Sequence, residues 1–129
     1  MPHANEEGCS QGQQEEVVMR NFKSGAKRDT DVGKPDYEGY LNPLVLERFG
    51  QYMLKHQVQA DGAIRDSDNW QRGIPQDVYM KSGFRHFMDW WKSHRTGSGD
   101  CQEALCALIF NAMGYLLALV EHKEEQKNG

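Results

Sequence analysis

Cysteine pairs, excess positive charge, strand-like alternation and unbroken apolar runs are all scarce in this chain, and each shortage narrows its class. The three cysteines have no zinc spacing. Cys9 lies in a polar N-terminal stretch, and Cys101 and Cys106 share the start of one apolar segment, where a disulfide would join poorly oriented side chains. Reduced thiols are expected. A net charge of −4 over 129 residues removes the general electrostatic basis for binding a nucleic acid polymer, while leaving room for a small anionic nucleotide in a local basic pocket. The longest apolar stretch, Ala104 to Val120, is interrupted by Asn111, and the opening MPHANEEG lacks a basic-then-apolar signal pattern. The chain therefore reads as a soluble cytoplasmic protein with no membrane partner. Its length suits one domain with a modest core.

What is present is helical periodicity. No alternating run is long enough for a sheet, so the expected class is all-α, with about three main helices and a long ordered N-terminal loop. Residues 1–23 are rich in Glu, Gln, Gly and Asn and read as a flexible tail, with a short helical turn around Gln13 to Phe22. From Ser24 to Asn42, SGAKRDTDVGKPDYEGYLN follows no period and reads as loop. Asn42 then caps a helix with Pro43 at its first position, running to about His56 or Gln59. Pro75 opens a second helix whose apolar positions, Met80, Phe84, Phe87, Met88 and Trp91, fall at helical spacing. TGSG at 96–99 ends it. Asp100 caps the third helix, with Glu103 in the capping arrangement. That helix, ALCALIFNAMGYLLALV, is apolar around nearly its whole circumference, which suits a central helix or a homo-oligomer interface that completes a thin core. The single domain is expected to span 24–122, with a polar C-terminal tail at 123–129.

The segment joining the first two long helices, DGAIRDSDNWQRGIPQD from Asp61 to Asp77, is too polar for core and too specifically composed for a plain linker, so it is the candidate functional surface. Within it, Asp66, Asp68 and Asn69 suit either a cation or a turn, and Trp70 either stacks on a base or plugs the loop into the core. On the second helix, His86 contacts a phosphate or hydrogen-bonds Asp89, and Arg85 pairs with Asp89 or meets a polyphosphate oxygen. Glu103 reads first as a cap and second as a metal ligand. Asn111, a polar amide in an apolar helix, needs partners and either satisfies a neighbouring loop or reads a base edge. Lys27, Arg28 and Lys34 form the best basic cluster, although Gly33-Lys34 lacks P-loop spacing.

Four ordered blocks, SGAKRDTDVGKPDYEG, GAIRDSDNWQRGIP, YMKSGFRHFMDWW and EALCALIFNAMGYL, together resemble the phage-encoded dATP/dGTP diphosphohydrolase family, N-terminal domain. The resemblance spans roughly residues 24–120. Its matching positions are Ser24, Gly25, Ala26, Arg28, Asp29, Gly33 and Lys34; Gly62, Ala63, Asn69, Trp70, Gly73 and Ile74; Arg85 and His86; and Glu103 and Asn111. The resemblance implies Mg²⁺-dependent hydrolysis of purine deoxynucleoside triphosphates to monophosphate and pyrophosphate, in the bacterial host cytoplasm. Arg28, Lys34 and Arg85 are then expected on phosphates and Asn69, Trp70 and Asn111 at the nucleotide. Glu103 with Asp61, Asp66 and Asp68 is expected on metal, and His86 assists proton transfer. The E-x-x-E and E-x-x-D pairs of related all-α pyrophosphohydrolases are absent: the first long helix has only Glu47, and the third begins with Asp100 and Glu103. A nucleotide-binding or sequestering protein without hydrolysis, acting in phage-host conflict, is the alternative that this departure favours.

Overall fold

The structure, a computed structural model, describes the backbone of residues 19–128 and the side chains of residues 19–122. Most of the expected N-terminal tail, including Cys9, lies outside the described residues. Helix accounts for 62% and strand for 8%. The chain divides into two compact units, Met1–Tyr40 and Leu41–Gly129.

In the first unit, β1 (Met19–Asn21) pairs antiparallel with β2 (Lys27–Asp29), placing Arg20 opposite Arg28. Gly25, at φ 93°, closes the turn by donating its N–H to the Phe22 carbonyl, and the Phe22 N–H returns to Ala26. Arg20 braces the hairpin through Nε to the Asp29 carbonyl at 2.9 Å. Asp36 then caps α1 (Tyr37–Tyr40), its Oδ1 accepting from the Gly39 N–H at 2.9 Å. The expected loop over 24–42 thus holds a strand and a helical turn, and residues 19–21 are strand rather than helix. The strands are three residues each, too short for alternation to register in the sequence.

The second unit is built from three long helices, α2 (Pro43–Lys55), α3 (Gln76–Thr96) and α4 (Cys101–Asn128). Asn42 caps α2 as its sequence predicts, Oδ1 accepting from Leu44 N–H at 2.9 Å, with Pro43 at the first helical position. Gly97, left-handed at φ 74°, ends α3. Asp100 starts α4, its Oδ1 accepting from Glu103 N–H at 3.1 Å. Among the described residues there are four helices and one two-stranded sheet: the three long helices match the three main helices expected, and the short α1 and the sheet are additions to them. α4 also continues through the stretch expected as a polar tail, whose Glu, Lys and Gln are good helix formers. Its span Cys101–His122 is long and apolar enough to cross a membrane by length and composition alone.

The core lies between α3 and α4, which form an antiparallel hairpin: Tyr79 meets Gly114 and Gly83 meets Asn111. Small residues make this approach possible. Ala104, Ala107, Gly83 and Gly114 are buried, with Cys106 and Tyr79, and a Cβ on Gly114 would fall inside the Tyr79 ring. Gly114→Ala is accordingly expected to destabilise the fold by about 1–3 kcal/mol, through forced displacement of a buried ring. Urea unfolding followed by circular dichroism measures this, and an unchanged midpoint would refute the close approach.

Candidate functional site

The connection from α2 to α3 is shaped by short-range hydrogen bonds. Its chain reverses in a narrow hairpin, with Val58 bridged to Ile64. Gly62, at φ 87°, donates to Gln59, and Arg65 N–H donates to the Gln57 carbonyl at 2.9 Å. Arg65 then turns its guanidinium back onto the end of α2, where Nη2 donates to the His56 carbonyl at 2.9 Å. A cation at carbonyls left open by a helix end is the favourable arrangement. Beyond it, Asn69–Arg72 form one 3₁₀ turn, which carries Trp70 against Phe110 of α4, edge to face, with ring centroids 5.9 Å apart.

These elements enclose a cleft of about 400 Å³. Tyr52 and His56 come from α2 and its cap, Arg65, Asp66, Asn69 and Trp70 from the loop, Ser82 and His86 from α3, and Phe110 and Asn111 from α4. A second cleft of about 310 Å³ shares Tyr52, His56 and His86 with the first and extends to Asp89, Lys92, Asp100 and Glu103. Asn111 is only 6% exposed. Its Nδ2 donates to the Ala107 carbonyl at 2.8 Å, one turn back in its own helix. That is its only side-chain hydrogen bond among the described residues, so one N–H and the amide oxygen of this cleft-lining residue have no protein partner there.

Glu103 is the electrostatic centre of the second cleft. Oε1 accepts from Lys55 Nζ and Oε2 from Arg48 Nη2, both at 2.9 Å, and His56 Nε2 lies 3.6 Å from Oε1. The hydrogen bonds from Lys55 and Arg48, with a smaller one from His56, hold its carboxyl at about 2, well below the ordinary carboxylate range. Tyr52, whose ring lies 4.4 Å from that of His56, has its phenol pushed up by burial and then by the negative charge of Glu103. Burial likewise raises the Cys106 thiol, which disfavours the thiolate a nucleophile would need.

The sequence-selected residues divide in their placement. Asn69, Trp70, His86, Asn111 and Asp66 come together at the first cleft, and Glu103 at the second. Trp70 packs on Phe110, which ties the loop to the hairpin, and also lines the cleft. His86 Nδ1 lies 3.6 Å from Asp89. The expected Arg85–Asp89 pair does not form: Asp89 turns to His86, and Arg85 projects from α3 outside the lining of both clefts. Arg28 and Lys34 belong to the first unit.

Of the carboxylates expected to hold Mg²⁺, three are engaged elsewhere, and Asp68, which makes no side-chain cap bond at the start of the 3₁₀ turn, lines neither cleft. Asp61 Oδ1 accepts from Ala63 N–H at 3.0 Å, Asp66 pairs with Arg72 at 2.8 Å, and Glu103 is held by Lys55 and Arg48. Among the described residues no group of three or more His, Cys, Asp or Glu side chains converges on a metal position. Magnesium requires near-octahedral oxygen coordination, and this donor set does not fit it. Tyr52, His56, Arg65 and Phe110 line the site without having been selected from sequence. Arg65 lies within the segment that was singled out and Phe110 directly precedes Asn111, but the significance of both depends on the way the loop folds back. Comparison with family models, with curated proteins and with solved structures found no match.

The depressed carboxyl of Glu103 sets a pH dependence. Its folded-state pKa lies below its ordinary value of 4.5, so the stability it contributes is fully present above that value and is lost as pH falls towards about 2. Glu103→Gln is expected to lower the urea midpoint at pH 7, with the gap from the unsubstituted chain narrowing steadily below pH 4.5. A gap independent of pH would show that the network does not act through ionised Glu103.

Proposed function

We propose that the cleft between α2, the Asp61–Asp77 loop and the α3–α4 hairpin binds a purine deoxynucleotide, the ligand class implied by the resemblance to the dATP/dGTP diphosphohydrolase family. The observation that carries this reading is Asn111. A buried amide that keeps a donor and an acceptor at a cleft is costly unless a ligand or water uses them, and the pairing of one donor with one acceptor complements a purine edge. Trp70, Phe110 and Tyr52 supply aromatic surface for a base. Arg65, His56 and His86 supply groups suited to phosphate oxygens. Because the carboxylates do not assemble a magnesium site, binding or sequestration is the primary reading.

Hydrolysis is the second reading, favoured by a separate observation. His56 and His86 border both clefts, and each stands 3.6 Å from a carboxylate, an arrangement that orients an imidazole for proton transfer.

Titration calorimetry with dATP, dGTP and dCTP tests the primary reading. Purine nucleotides are expected to bind more tightly than dCTP, and Asn111→Leu and Trp70→Ala are each expected to weaken purine binding about tenfold or more. Equal affinity for all three nucleotides, unaffected by either substitution, would sink the proposal. Ion-exchange chromatography of the same mixtures separates the readings: intact nucleotide supports binding alone, whereas monophosphate and pyrophosphate that disappear in His86→Ala support hydrolysis.

A further inference from the structure

The exposed side of α3 is apolar along most of its length. Met80, Phe84, Phe87, Met88 and Trp91 are between 41% and 62% exposed, and they follow helical spacing along one stripe. Ser82 and His86, which line the first cleft, lie on a different side of the helix. At ~200 Å² for a large side chain, the stripe exposes roughly 500 Å², more than half of the ~800 Å² that a standard interface buries per partner. The unit's own core is correspondingly thin: Tyr79 is the only large apolar side chain buried among the described residues, alongside Ala104, Cys106 and Ala107. So small a core rarely sustains a fold of this size.

The charges at the two ends of the stripe point to its occupant. Asp77 and Arg95 are about five helical turns apart and therefore project on the same side of α3, along one edge of the stripe. Arg95 has no partner among the described residues, and Asp77 meets only Lys81, an exposed i,i+4 pair at 3.2 Å, which contributes little. Two α3 helices laid antiparallel about a two-fold axis at the level of His86 bring Asp77 against the partner's Arg95 and Phe84 against the partner's Met88. The same contacts recur on the other side of the axis, as an isologous interface requires.

We propose that this face is covered by a second copy of the chain, α3 against α3, forming a two-fold dimer whose clefts lie outside the interface. A surface on which the fold itself depends needs a partner present whenever the chain is made, and another copy meets that condition. Sedimentation equilibrium on the full chain provides the test. The expected mass is twice 14.8 kDa, and Phe84→Glu is expected to weaken association more than about a hundredfold, as burying an unpaired charge at an interface centre does. Asp77→Arg and Arg95→Asp, both at exposed positions that spare the core, are each expected to weaken it about tenfold, and the double reversal to restore it. A helical chain that sediments as a monomer would overturn the proposal, as would a dimer indifferent to Phe84→Glu or charge reversals without rescue. A monomer that floats with phosphatidylcholine vesicles would identify a bilayer as the covering and overturn it as well.

Discussion

The placement of α2 depends on one carboxylate. No residue of α2 is fully buried, although Phe49, Tyr52 and Met53 are half-buried, and its charged connection to α4 runs through Glu103 with Arg48 and Lys55. Charge-assisted hydrogen bonds are strong and directional, and both carboxylate oxygens are used. The arrangement fixes the end of α2 relative to the start of α4, and that end carries His56, whose carbonyl receives Arg65 and whose ring borders both clefts. The position of the Asp61–Asp77 loop, and with it the entire cleft wall opposite Asn111, follows from this junction. Glu103 is therefore better understood as the part that sets the site's geometry than as a metal ligand.

The helices were largely legible in the sequence because their signals are local. Asn42-Pro43, Asp100 and Gly97 mark ends through bonds made within one turn and form as read, whereas the Glu103 carboxylate, expected in the capping arrangement, turns instead to Lys55 and Arg48. The hairpin of β1 and β2 was not legible, since three-residue strands leave no period to detect. The site was legible in part. The loop's composition and the isolated polarity of Asn111 marked two of its walls, because a polar residue in an apolar helix is conspicuous whatever the fold. His56 and Tyr52 were missed because nothing in their neighbourhood distinguishes them, and Arg65 because nothing sets it apart within the singled-out segment: all three join the site through contacts between elements, and those depend on how the chain returns.

Electrostatic satisfaction also explains the weakness of the metal reading. Paired acids at helical spacing present carboxylates that repel one another and invite a cation, whereas three of the four acids expected on metal already face a base or a backbone N–H, and the fourth, Asp68, stands apart from both clefts. Asp66 has Arg72, Asp61 has Ala63 N–H, and Glu103 has two cations. Little uncompensated negative charge remains to draw a divalent ion. The basic and aromatic groups are less fully engaged, and they lie beside a buried amide with unused bonding capacity. That balance favours an anionic, planar ligand over a bare cation.

The α3–α4 hairpin also sets an order of assembly. Its two helices are joined by four residues, Gly97 to Asp100, and nearly all of the buried core lies between them, so their contacts are close in sequence and quick to form. α2 and the loop dock afterwards through half-buried side chains and the Glu103 ion pairs, with no fully buried residue in α2. Elements with few buried apolar contacts are the first to open in the native state. One wall of the cleft thus belongs to the hairpin that holds the buried core and the other to an element with no fully buried residue, so the cleft can gape by local release of α2 while the hairpin beneath it stays folded.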